Sequence, residues 1–105
     1  MPEFVRAEVC LYRPAVNAQD GSYRPHLRVG PDGAYLGVCF VDGPARLEPN
    51  VCAEVTLALM YTGVNYAPLE IGTEFEVVEG RNVAGRGTVQ RHGRAESVEL
   101  FAQDQ

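Results

Sequence analysis

The chain has 105 residues, of which 46% are hydrophobic and 22% are charged, and its formal net charge is −5. These values are typical of a single folded domain and exclude a chain that is disordered throughout. No apolar run approaches the roughly 18 residues of a membrane-spanning helix, and the first residues lack the pattern of a secretory signal. We therefore expect a cytoplasmic protein that makes no membrane contact.

The basic residues are nine arginines, and the sequence contains no lysine. The absence of lysine excludes a P-loop, whose lysine reaches the nucleotide phosphates. It also excludes Schiff-base catalysis, which needs an amine nucleophile. Four of the arginines lie between residues 78 and 94, where Glu79 is the one accompanying acid. One basic stripe on an acidic chain supplies little affinity for phosphate backbones. No DNA partner is therefore expected.

The three cysteines, Cys10, Cys39 and Cys52, are far apart in the sequence and form no C-x-x-C pair. We interpret all three as small apolar core residues, and we expect neither a bound metal nor a cofactor. An enzyme that uses Cys10, His26 or a glutamate in a pocket at the mouth of the fold stays open as a minor alternative. Such groups meet only in space, so that spacing in the sequence does not exclude it.

Glycine and proline divide the chain into short segments rich in valine, leucine, tyrosine and phenylalanine, which is typical of an all-β protein. The segments predict six strands, over residues 4–12, 23–29, 34–41, 51–60, 75–78 and 83–90. In the first strand Val5, Ala7, Val9 and Leu11 alternate with polar residues and should face the core.

Three later features complete this prediction. In the fourth strand, the longest apolar run, the alternate residues from Val51 to Leu59 should share one face. In the last strand, Gly85 and Gly87 indicate a bulge or a close approach of another backbone. The connection between the fourth and fifth strands carries Tyr61 and Tyr66, which we interpret either as partner contacts or as part of a loop that caps the barrel.

Because closure removes the exposed edges of a small sheet, the six strands predict a closed six-stranded antiparallel β-barrel. The barrel should comprise residues 1–92. Residues 93–105 should form a short acidic C-terminal tail.

Five segments occur in an order that resembles the C-terminal β-barrel domain, the third domain, of translation elongation factor Tu. They are FVRAEV at 4–9, YRPH at 23–26, LEPN at 47–50, PLEIG at 68–72 and FEVVEGRNVAGRG at 75–87. The resemblance covers about residues 3–90 and implies a six-stranded antiparallel barrel without catalytic residues. In that family the domain contacts aminoacyl-tRNA and a nucleotide-exchange factor.

The positions that match the family's tRNA-facing residues are His26 and residues 78–81. Val78 stands where the family has arginine, and Arg81 stands where it has a second glycine. The GTPase domain of the factor is not in this sequence, so we do not expect GTP hydrolysis.

We interpret the chain as a non-enzymatic binding module of the translation apparatus, with a protein partner favoured over tRNA or rRNA on charge grounds. The candidate surface comprises Arg24, His26, Glu79, Gly80, Arg81, Arg86 and Arg91. The alternative is a repurposed barrel scaffold that acts as an accessory, self-assembling or toxin-neutralising protein. It would bind through the loop with Tyr61 and Tyr66, and leftover apolar surface would favour a homo-oligomer.

Overall fold

The computed structural model describes residues 3–16 and 21–94, and within these ranges it contains strands and turns but no helix. The nine strands of this part of the chain are β1 (Phe4–Leu11), β2 (Ala15–Val16), β3 (His26–Arg28), β4 (Leu36–Gly37), β5 (Cys39–Asp42), β6 (Arg46–Leu47), β7 (Ala53–Ala58), β8 (Glu74–Glu79) and β9 (Asn82–Gly93). The predicted all-β class is therefore confirmed. A search of the same residues finds no helix that could cross a membrane.

Seven of the strands in the described residues form one antiparallel sheet in the order β4-β3-β8-β9-β1-β7-β5, which curves into a half-barrel. The prediction of a closed six-stranded barrel is wrong in strand number and in closure. The predicted strand over 34–41 is divided at Val38: β4 pairs with β3, whereas β5 pairs with β7 at the opposite edge of the sheet. A separate ribbon of β2 and β6 had no counterpart in the prediction.

The two edges of the sheet nevertheless lie close together, because β4 and β5 are consecutive in the chain. Backbone hydrogen bonds from Val38 N to Pro25 O (3.1 Å) and from Phe40 N to Tyr23 O (3.0 Å) tie this region to the segment before β3. These bonds satisfy backbone groups that an open edge would leave exposed.

The strand β1, which lies between β9 and β7, forms one wall of the core, as the sequence predicts. Val5, Ala7 and Val9 are fully buried and pack with Val55 and Leu57 of β7, which pairs with β1. The prediction for the fourth strand holds only in part. β7 begins at Ala53, and Val51 is exposed beyond its start.

Gly85 and Gly87 allow β9 to lie close against its neighbours, and the predicted close approach is confirmed. A Cβ atom built on Gly87 would lie 2.6 Å from the Glu8 carbonyl oxygen and 2.6 Å from the Phe75 ring. A Cβ atom on Gly85 would lie 2.5 Å from the Cys10 carbonyl oxygen. Both positions therefore require glycine for steric reasons.

Cys10 and Cys52 form a disulfide, which the sequence interpretation did not include. The interpretation of the cysteines as buried core residues is wrong for Cys52 and holds for Cys10. Val9 is paired with Ala53 in the β1–β7 ladder, and Cys10 and Cys52 are the next opposing residues. Cys52 is exposed, whereas Cys10 is buried. Cys39 is free and buried, as predicted, and its thiol lies 3.1 Å from the Gly21 carbonyl oxygen.

The last strand ends at Gly93, one residue beyond the predicted end of the barrel. Of the predicted acidic tail, residues 95–105 lie outside the described residues.

We predict that Gly87→Ala destabilises the fold by about 1–3 kcal/mol, since the new methyl group overlaps both a backbone oxygen and the Phe75 ring. The matched control is Thr88→Ala on the outer face of the same strand, for which we expect a change within about 0.5 kcal/mol. Urea unfolding followed by circular dichroism measures both values. Equal effects of the two variants would contradict the steric account.

We also predict that the disulfide stabilises the chain by about 2–4 kcal/mol, because it closes a long loop in the unfolded state; the two cysteines are 42 residues apart. Adding dithiothreitol should lower the urea midpoint of the native chain. It should leave the midpoint of the double variant Cys10→Ser/Cys52→Ser unchanged. A native midpoint that does not respond to complete reduction would refute the prediction.

Candidate interaction surface

A groove opens on the outer face of β3, β8 and β9, with a cavity volume of about 400 Å³. Gly30 and Pro31 form one wall, and the strands β8 and β9 form the rest. Its charged lining residues are Arg28, Glu74, Glu76 and Arg86. We call this feature the β3–β8–β9 groove; it carries two positive and two negative side chains.

The register of the sheet aligns three of these side chains in one row. Arg28 is opposite Glu76 in the β3–β8 ladder, and Glu76 is opposite Arg86 in the β8–β9 ladder. Side chains directly opposite each other in antiparallel strands share a face and lie about 5 Å apart at Cβ. The row therefore runs across three strands.

Within this row Glu76 is held by Arg28 rather than by Arg86. Arg28 donates two hydrogen bonds to the same Glu76 carboxylate oxygen, at 2.6 Å from Nη2 and 3.2 Å from Nε. These bonds raise the pKa of Arg28 above its ordinary value. Arg86 makes no hydrogen bond or ion pair with any residue in 3–16 or 21–94, and its guanidinium is available to a partner.

An aromatic side chain lies beside the groove. Tyr35 is 46% exposed, its ring centroid is 5.7 Å from that of His26, and the Arg28 guanidinium carbon is 5.9 Å from the Tyr35 centroid. The cation–π contact and the salt bridge together fix the position of Arg28. Exposed tyrosine next to arginine is a combination that is enriched in the energetically important parts of protein interfaces.

Glu79, one of the predicted contact residues, is engaged within the fold. The Tyr23 hydroxyl donates a short hydrogen bond to the Glu79 carboxylate, and the Tyr23 ring packs edge-on against Phe40. Burial raises the pKa of Tyr23 far above its ordinary value, and the hydrogen bond and negative charge of Glu79 raise it further. The pair connects the segment before β3 to the end of β8.

The other predicted residues fall into separate places. His26 is opposite Val78 in the β3–β8 ladder, and Gly80 and Arg81 lie in the tight turn between β8 and β9. Arg24 donates from Nε to the Gly21 carbonyl oxygen at 3.0 Å. Arg91 is opposite Arg6 in the β1–β9 ladder, toward the other end of β9. The structure thus brings His26 and Arg86 to the groove region, but it places Arg91 elsewhere.

Tyr61 and Tyr66 differ in exposure, which bears on the two interpretations of their loop. Tyr66 is 4% exposed, and its hydroxyl donates to the Gly37 carbonyl oxygen at 2.6 Å. The same hydroxyl accepts a hydrogen bond from Tyr61 N at 3.2 Å. Tyr66 therefore belongs to the capping arrangement. Tyr61 is 48% exposed, and its ring lies against Gly37.

The sequence interpretation missed Arg28, Tyr35 and Glu76 as members of the surface. The signal that could have found them is the strand alternation itself, since each lies next to a buried residue and so points outward. For metals, a search of residues 3–16 and 21–94 finds no cluster of His, Cys, Asp or Glu that could hold an ion. Among the described residues, no contact joins Cys39 and His26.

Comparison with models of known protein families and with curated protein sequences gave no match. The resemblance to the C-terminal domain of elongation factor Tu therefore stays a prediction.

We predict that Tyr23 makes the fold less stable as the pH rises above 10. Its pKa is raised in the folded state from the ordinary value of 10.0, so in that range the unfolded state loses the proton while the native state keeps it. Stability is then fully present below pH 10 and falls as the pH rises. Urea unfolding between pH 9 and 11 should show that the free energy of unfolding of Tyr23→Phe depends less steeply on pH than that of the native chain. Glu74→Gln, which removes a carboxylate from the other end of β8, is the control and should retain the native dependence of stability on pH.

Proposed function

We propose that this chain is a non-enzymatic binding module, related to the C-terminal domain of elongation factor Tu, that contacts a protein of the translation apparatus through the β3–β8–β9 groove. The observation that carries the proposal is the composition of the groove. It combines the fixed Arg28–Glu76 pair with Arg86, which has no partner among residues 3–16 and 21–94, and the exposed Tyr35 lies beside it.

The charge of the groove favours protein over RNA as the partner. Two arginines and two glutamates line it, so its net charge is zero, whereas affinity for a phosphate backbone depends on an excess of cations. A protein surface offers both signs of charge together with apolar groups that can cover Tyr35. A partner carboxylate facing Arg86 would complete a row of alternating charge.

The alternative, a repurposed scaffold that binds through the loop of Tyr61 and Tyr66, has less support. Because Tyr66 is buried and its hydroxyl is used within the fold, it offers no side chain to a partner. A depression of about 390 Å³ beside Tyr61 remains exposed, but nothing in the described residues indicates what would fill it.

A cytoplasmic location belongs to the same proposal, since the translation apparatus works there. In a reducing cytoplasm Cys10 and Cys52 are expected as thiols, whereas an oxidising compartment retains their disulfide. Alkylation of the protein directly in cells, before lysis, would distinguish these states.

Arg86→Glu should weaken binding of the protein partner by at least about tenfold, because it would place a glutamate against the partner carboxylate that faces Arg86. The immobilised chain is incubated with lysate, with and without RNase, and the retained proteins are identified and quantified by mass spectrometry. The matched control is Arg46→Glu, which breaks an exposed pair with Glu48 on the separate β2–β6 ribbon.

The proposal is supported when proteins of the translation apparatus survive RNase, are lost with Arg86→Glu and are kept by Arg46→Glu. If both variants retain these proteins equally, the groove is not the binding surface. Retention that depends wholly on RNA would replace the protein partner with tRNA or rRNA.

A further inference from the structure

The disulfide lies on the same outer face of the sheet as the row of charges described above. In β1 the residues on either side of Cys10, Val9 and Leu11, are buried in the core, so Cys10 points to the outer face. Cys10 is opposite Arg86 in the β1–β9 ladder. The row thus continues across four strands, as Arg28, Glu76, Arg86 and Cys10, and ends at Cys52, which directly precedes β7.

The two residues of the disulfide differ in exposure. Cys52 is an exposed residue that precedes β7, whereas Cys10 is 4% exposed in the middle of the sheet. Attack on a disulfide proceeds through the accessible sulfur, and the other sulfur departs as a thiolate. Access therefore selects Cys52 as the sulfur that is attacked and Cys10 as the one that leaves.

Arg86 is placed to stabilise the charge that develops on the leaving sulfur. As the residue directly opposite Cys10, it lies about 5 Å away at Cβ, and it makes no ion pair among the described residues that would occupy it. Glu8 and Glu54 lie on the same face but two residues along their strands, which places them about 7 Å from the cysteines. Glu54 is in addition within 3.8 Å of the Arg6 guanidinium.

We propose that Cys52 is a site of thiol–disulfide exchange, at which an external thiolate opens the Cys10–Cys52 bond while Arg86 stabilises the departing Cys10 thiolate. The attacking sulfur forms a bond to Cys52 Sγ as the bond between Cys52 Sγ and Cys10 Sγ breaks, and the electron pair of that bond stays on Cys10. A second thiolate then attacks the external sulfur of the mixed disulfide and releases Cys52 as a thiolate. The balance is one external disulfide formed and one protein disulfide reduced by two electrons.

The test follows the oxidised full chain with glutathione at a series of concentrations, quenched with N-ethylmaleimide and mapped by peptide mass spectrometry. We expect an intermediate with glutathione on Cys52 and maleimide on Cys10, formed at a rate proportional to glutathione concentration. Reduced thioredoxin at equal thiolate concentration forms the second arm. Faster opening by thioredoxin indicates a protein dithiol as the natural source, and faster opening by glutathione indicates a small thiol.

Three variants separate the role of Arg86 from general charge. Arg86→Gln should slow the opening roughly two- to threefold, since exchange rates respond to the stability of the leaving thiolate. Arg86→Lys, which keeps the charge, should restore most of the rate. Arg81→Gln removes an equal charge from the turn of the same hairpin and should leave the rate unchanged.

The proposal is overturned when glutathione is found on Cys10 instead of Cys52. It is overturned equally when the rate no longer depends on glutathione and matches the global unfolding rate, since the disulfide would then open only in unfolded molecules. Equal rates for Arg86→Gln and Arg81→Gln would remove Arg86 from the mechanism. None of these readouts depends on the proposed binding partner.

Discussion

The register between β1 and β9 is the constraint on which both the core and the outer surface depend. These strands lie in the middle of the seven-stranded sheet of the described residues, so each has a neighbour on both sides. A shift of one residue would turn Arg6 and Glu8 into the core in place of Val5 and Ala7. Such a shift would bury unpaired charges, at a cost that the small core cannot offset. The same register places Cys10 opposite Arg86.

The glycines of β9 support this register sterically. Gly85 and Gly87 face inward, and their missing side chains leave room for Leu11 and for the Phe75 ring. With any larger residue at these positions, β9 could not lie as close to β1 and β8. The register is thus specified twice, once by the alternation of β1 and once by the glycine spacing of β9.

The features that the sequence predicted correctly are those that depend on local pattern. Alternation identified the buried face of β1, and isolated glycines in a valine-rich strand identified the close approach in β9. The all-β class follows from the same short-range signals. These signals hold because the two-residue period of a strand relates each side chain directly to one face of the sheet.

The features that the sequence did not predict depend on which distant segments meet. The Cys10–Cys52 bond joins residues 42 apart, and the Arg28–Glu76 pair joins residues 48 apart. Neither separation corresponds to a sequence motif that predicts the contact. The division of residues 34–41 into β4 and β5 was missed for the same reason, because each half pairs with a different neighbour. The sequence left open whether Tyr66 caps the fold or contacts a partner, since its acceptor, the Gly37 carbonyl, lies in that divided segment.

The predicted basic stripe is another case in which the sequence does not show which charges lie together on the surface. Along an extended chain the ten residue steps from Arg81 to Arg91 cover about 33 Å, so charges that are neighbours in the sequence lie far apart on the surface. What remains is Arg86, which has no partner within the described part of the chain and lies between two fixed features, the Arg28–Glu76 pair and the disulfide. A single guanidinium cannot neutralise a partner's carboxylate and the Cys10 thiolate fully at the same time. If both proposals hold, opening the disulfide weakens partner binding, and by linkage partner binding disfavours the open disulfide by the same free energy.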